Sequence, residues 1–152
     1  MDSLRFYLVY SLPASVAIGL TLGGWWTLAT VAWVFVFVPL LDAATPLNQR
    51  DPIQGTGGRF EAPILLWTPV QLAIQAWVLV SVSRGTYGPW ETAGIVLSCG
   101  VMAGAGGITV AHELMHRVDP LRRALAKILM GSVAYTHFCV EHVLGHHRNV
   151  AT

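Results

Sequence analysis

The sequence predicts an all-α integral membrane fold: four transmembrane helices in two hairpins, then a cytosolic helical cap that bears histidine boxes. Three observations carry this expectation. First, 54% of the 152 residues are hydrophobic and 11% are charged, whereas an ordinary soluble domain carries about 25% charged residues. Second, four apolar runs, residues 6–22, 25–41, 64–82 and 92–111, contain no Lys, Arg, Asp or Glu. As helices, runs of 17 to 20 residues are long enough to cross a hydrocarbon core of about 30 Å. Third, the basic residues are one-sided. With the N-terminus inside, Arg5, Arg50, Arg59, Arg117, Arg122, Arg123, Lys127 and Arg148 are all cytoplasmic, and only Arg84 is outside. A bias of this kind sets the orientation of membrane helices.

The elements follow in order. The first run carries one preceding Arg, and the second run follows after only Gly23-Gly24, which does not match a cleavable signal peptide. Gly23-Gly24 is expected to form a tight external turn. Residues 42–63, rich in Pro, Gly, Asn and Gln, are expected to form the internal loop. Residues 83–89 form the second external loop, with Trp90 as an anchor at the membrane interface. The fourth run leads directly into a histidine box at His112. Asp119-Pro120 then breaks the helix and starts another. Residues 121 to about 147 look helical, with a basic, amphipathic start suited to anionic lipid headgroups. The division is therefore a four-span region, 1–111, and a cytosolic histidine-box region, 112–152. A net charge of +1 gives no electrostatic support to nucleic-acid binding. Cys99 and Cys139 form no CxxC, which argues against a disulfide or a zinc ribbon.

Five of the six histidines fall in two boxes: His112-Glu113-Leu114-Met115-His116 and Glu141-His142-Val143-Leu144-Gly145-His146-His147. On a helix, His112 and His116 share one face, as do His142 and His146. Neutral imidazole is the commonest protein ligand for first-row transition metals. Five imidazoles exceed what one tetrahedral zinc needs, so the pattern points to a polynuclear site at a membrane surface. The first box also fits the HExxH zinc-protease motif, with Glu113 as general base, but that reading leaves the second box unexplained. His137 alone suits a satisfied polar residue or headgroup anchor.

Other residues carry two readings each. The small residues of the fourth run, among them Ala103, Gly106 and Gly107, permit close helix packing or leave a slot for a slim substrate next to His112. Gln71 and Gln75 hydrogen-bond between helices or line a pocket. Trp33 and Phe37 line an apolar tunnel, or are packed or lipid-facing aromatics.

These boxes resemble those of the membrane-bound alkane monooxygenases, in the integral-membrane fatty acid desaturase and hydroxylase superfamily. His112-Glu-Leu-Met-His116-Arg117 is similar to that family's HELGHK-like box. The stretch from His137 to His147 resembles its HFxxEHxxGHH segment, and Asn149-Val-Ala-Thr152 the start of its VATPxDPA continuation. Met115 stands where the family usually has glycine, and Arg117 where it has lysine. The resemblance implies a non-haem centre of two iron ions that activates dioxygen and hydroxylates the terminal carbon of an alkane. Electrons would arrive through rubredoxin or a ferredoxin. The ligands carried over are His112, His116, His142, His146 and His147. Glu113 and Glu141 then orient imidazole N–H groups, and His137 has a supporting role. The family has a third histidine box and two further spans that do not occur before Thr152. The sequence is therefore expected to be an N-terminal fragment, inactive by itself, of an enzyme of the bacterial inner membrane, with both ends of this chain cytoplasmic. A xylene-type monooxygenase or a desaturase is the alternative within the superfamily.

Overall fold

The computed structural model describes residues 2–45 and 58–142. His146 and His147 lie outside the described residues. Those described are helical, joined by short turns, with no strand among them. A 3₁₀ lead, Asp2–Tyr10, runs into helix α1, Ser11–Leu22. Helix α2 is Gly24–Ala44, α3 is Gly58–Ser83, and α4 is Pro89–Met115. Two short helices follow, α5, Pro120–Ser132, and α6, Phe138–Val140. Three of these helices contain stretches long and apolar enough to cross a membrane: Gly24–Ala44, Glu61–Ser83 and Pro89–Met115. The segment Phe6–Leu22 is apolar but shorter.

Glycine fixes the turn between α1 and α2. Gly23 and Gly24 have φ of 62° and 53°, the left-handed region that glycine enters without penalty. The turn is clasped from α4. The Glu91 carboxylate accepts the Gly24 N–H at 2.6 Å and the Gly88 N–H at 3.0 Å. Below the clasp the helices approach closely because side chains are missing. A Cβ on Gly19 would lie 2.8 Å from the Trp26 carbonyl, and one on Gly94 would lie 2.5 Å from Thr27 Oγ1. Close backbone approach of this kind, with hydroxyls as cross-links, is how apolar helices associate where no hydrophobic drive exists. The cross-links here are Ser98 Oγ to the Thr27 carbonyl at 2.7 Å and Ser15 with Thr30 at 2.9 Å.

Two helices differ from expectation. Helix α3 begins at Gly58, so Pro63 lies inside it rather than in the loop, as does Pro69. Prolines are tolerated in membrane helices where neighbours add hydrogen-bond partners, and the Tyr10 hydroxyl donates to the Pro63 carbonyl at 2.8 Å. The expected single helix from residue 121 to about 147 is broken after Ser132. Ala134 has φ 55°, and the Tyr135 N–H turns back to the Met130 carbonyl at 2.8 Å.

Helix α5 packs along α3. Arg122 bonds Glu61 at 2.8 Å, and Ser132 accepts from Gln71 at 2.9 Å. Both pairs are 61 positions apart in sequence, so α5 runs beside α3 in the same direction. Ten residues of helix cover about 15 Å. The end of α5 therefore reaches the middle of the Glu61–Ser83 stretch, with Ala126, Leu129 and Met130 fully buried. Its start is capped as the sequence suggests: Asp119 accepts the Arg122 N–H at 3.0 Å and Pro120 opens the helix. Asp119→Ala is expected to cost about 1 kcal/mol by loss of this cap, read as a lower thermal midpoint in detergent. The Arg122 guanidinium, held by Glu61 and then by Asp119, is pushed above its ordinary range and stays charged.

Candidate metal centre

Helix α4 supplies the first histidines. Its middle, Met102–Ile108, is a π-helical segment, a form that recurs at functional sites. Regular α-helix resumes at Thr109 and carries His112. His116, one turn on, ends it. The second contribution comes from the residues after α6. His142 reaches back to α4, so its Nε2 lies 2.7 Å from His112 Nε2, while His116 Nε2 lies 3.3 Å from His112 Nε2. The ligand atoms of His112, His116 and His142 all lie within 4.8 Å of one another. Two nitrogens bound at about 2.0–2.1 Å to one ion stand roughly 3 Å apart. The cluster thus has the spacing and the donor chemistry of a transition-metal site.

An aromatic ladder supports it. Phe138 stacks on His142 with ring centres 4.8 Å apart, and on Tyr135 at 5.1 Å. The sequence motif includes Phe138 without giving it a role; its spacing of four from His142 is the signal for this stacking. His137 is exposed and its ring meets Tyr135 at 4.7 Å. Glu113 is held by Arg117, its neighbour one turn on. Glu141 is exposed, one residue before His142. Burial pushes the Cys139 thiol up, with Lys127 opposing in part, so this cysteine is a neutral thiol at pH 7.

The small residues of α4 divide into two groups. A Cβ on Gly106 would lie 2.2 Å from the Trp67 ring, and one on Gly107 would lie 2.2 Å from Gln71 Oε1. The space beside these two glycines is therefore filled by α3. Gly100 and Gly104 instead face open space. They line an apolar groove of about 780 Å³ with Ala103, Leu72, Leu79 and Val133. Ile108, one turn before His112, also lines it. Trp33 and Phe37 are not among its lining residues. Trp33 donates to Ser11 at 2.9 Å, and Phe37 is exposed.

Residues 88–152 match the fatty acid desaturase family model. Alkane 1-monooxygenase 2 of Pseudomonas aeruginosa is 33% identical over 153 residues, covering 89% of this chain and 41% of the relative. Alkane 1-monooxygenase 1 of the same organism is 36% identical over 135 residues, covering 84% and 35%. The xylene/toluene monooxygenase hydroxylase component of Pseudomonas putida is 30% identical over 152 residues, covering 97% and 40%. The chain spans about two fifths of the length of these relatives. The histidine cluster lies inside the region that matches the fatty acid desaturase family, and over most of its length the chain is similar to membrane alkane and xylene monooxygenases.

Proposed function

We propose that this chain belongs to a membrane-bound non-haem di-iron monooxygenase that hydroxylates the terminal carbon of alkanes. The observation that carries the reading is the meeting of His112, His116 and His142 from two separate segments, beside an apolar groove, in a chain related to alkane 1-monooxygenases. His146 and His147 are proposed as further ligands on the same two iron ions, and Glu141 as an acceptor that orients an imidazole N–H. Bound iron would supply the redox chemistry that activates dioxygen, with electrons from rubredoxin or a ferredoxin.

The residues of this chain hold and shield. The Nε2 atoms of His112, His116 and His142 converge; in metal sites of this kind the other ring nitrogen usually donates to a supporting acceptor. Phe138 covers one face of His142. An alkane offers no polar handle, so shape and dryness alone select it. The groove at Gly100, Ala103 and Gly104 supplies both, and is the proposed substrate path in place of a slot at Gly106 and Gly107. The test is to express the intact protein in membranes, count its metal and identify its product. Two irons and a terminal alcohol support the reading. One zinc with peptide cleavage would replace it. The likeness to the xylene/toluene component favours a second reading, in which a methyl group on an aromatic ring is oxidised to a benzylic alcohol.

We further propose four spans, counting Phe6–Leu22, with both ends of this chain on the cytoplasmic side of a bacterial inner membrane; the one-sided basic residues support this reading. A reporter at Thr152 should then read cytoplasmic and one at Gly88 external. An external signal at Thr152 would overturn the topology.

A further inference from the structure

One fully buried polar side chain touches both α4, which bears His112, and the end of α5, ten residues before His142. Gln71 is 0% exposed. A buried amide is costly unless its donors and acceptor are used. Here Gln71 Oε1 accepts the Trp67 Nε1–H at 2.7 Å, and Gln71 Nε2 donates to Ser132 Oγ at 2.9 Å. Ser132 in turn donates to the Leu129 carbonyl at 2.7 Å. The amide rests on Gly107 of α4, where even a methyl group could not fit. Gly107 is five residues before His112. Ser132 is the last residue of α5, and the turn that follows it runs through Ala134 to Phe138, which stacks on His142. One side chain therefore sets the height of α4 and the start of the turn that returns the second box.

We propose that Gln71 is a positioning residue for the metal centre, holding His112 and His142 in register through Gly107 and Ser132. This rests on the metal-site reading above. An apolar residue of equal length would fill the same volume but would leave the Ser132 hydroxyl without its partner on α3 and the Trp67 N–H without its acceptor, with only the longer Gln75 bond to the Ser132 carbonyl, 3.4 Å, remaining. Residues in such supporting roles typically change metal affinity about 10–100-fold.

The test uses Gln71→Met, Ser132→Ala and Ser132→Thr in the intact protein in detergent, with two readouts. The first is amide hydrogen exchange over residues 133–142, which needs no metal. The second is cobalt(II) titration followed by visible absorption. Gln71→Met and Ser132→Ala should each speed exchange in 133–142 while leaving 89–101 unchanged, and weaken cobalt binding about 10–100-fold. Ser132→Thr, which keeps the hydroxyl, should restore both. The double variant should be weaker than Gln71→Met by less than Ser132→Ala costs alone, since the Gln71–Ser132 bond can be lost only once. Unchanged exchange in 133–142, or strictly additive losses, would overturn the proposal. If Gln71→Met fails to fold, the serine pair decides the matter by itself. Failure of the unaltered protein to bind cobalt would instead sink the metal-site reading, and the exchange readout would still decide the role of Gln71.

Discussion

His112→Ala and His142→Ala should each leave the intact protein without bound iron above background and without measurable hydroxylase activity. Each removes an Nε2 from the closest contact in the cluster, the 2.7 Å approach between the two rings. Glu113, the carboxylate within the first box, is engaged by Arg117. His137→Ala provides the contrast. Its ring lies against Tyr135 on the exposed side, so iron content should stay near that of the unaltered protein. Metal analysis of purified protein beside a circular dichroism spectrum checks both. Iron retained in His142→Ala and lost in His137→Ala would reverse the assignment.

Gly106→Leu and Gly107→Leu should abolish the folded state. Even a Cβ at these positions would come within 2.2 Å of Trp67 and Gln71, and neither neighbour can retreat. Trp67 is fully buried and hydrogen-bonded, and Gln71 is tied to Ser132. Overpacking a well-filled site costs about 1–3 kcal/mol even where some relaxation is possible, and here a whole isobutyl group has no destination. Gly104→Leu is the matched control, because its side chain would enter open space in the groove. That variant should fold, and in the intact enzyme it should turn over long alkanes less well than short ones. Monodisperse, iron-loaded Gly107→Leu protein would show that the α3–α4 contact is not as tight as described.

The sequence disclosed some features better than others, for physical reasons. The apolar runs were legible because a hydrocarbon solvent tolerates few charges, and the Gly23-Gly24 turn because two glycines between such runs permit little else. The pairing of His112 with His116 followed from helical spacing. Their meeting with His142 rested on more than periodicity, because it depends on a chain reversal at Ala134, an alanine with positive φ that carries no turn signature. The descent of α5 beside α3 was also hidden. Basic residues at its start, Arg122 and Arg123, read as a surface helix, whereas the decisive partners are a glutamate and a glutamine some sixty residues earlier. The start of α3 was placed too late because Pro63 reads as a loop residue. Gly106 and Gly107 had two readings that only the position of Trp67 and Gln71 separates.

The path of α5 has a consequence for how the molecule is assembled. With Arg122, Arg123 and Lys127 on it, α5 is too polar to enter a bilayer unaided as a spanning segment. It gains its deep position only by laying Ala126, Leu129 and Met130 against helices already in place and by completing the Gln71 bond. During synthesis, then, α3 and α4 must be inserted and paired before α5 can leave the membrane surface and dock. The second histidine box, which follows α5 in the chain, is brought to the first only after that docking. The histidine cluster is therefore completed late in biogenesis. On the proposed function, iron supplied before that step would meet only His112 and His116, a safeguard against a reactive ion being captured by an unfinished site.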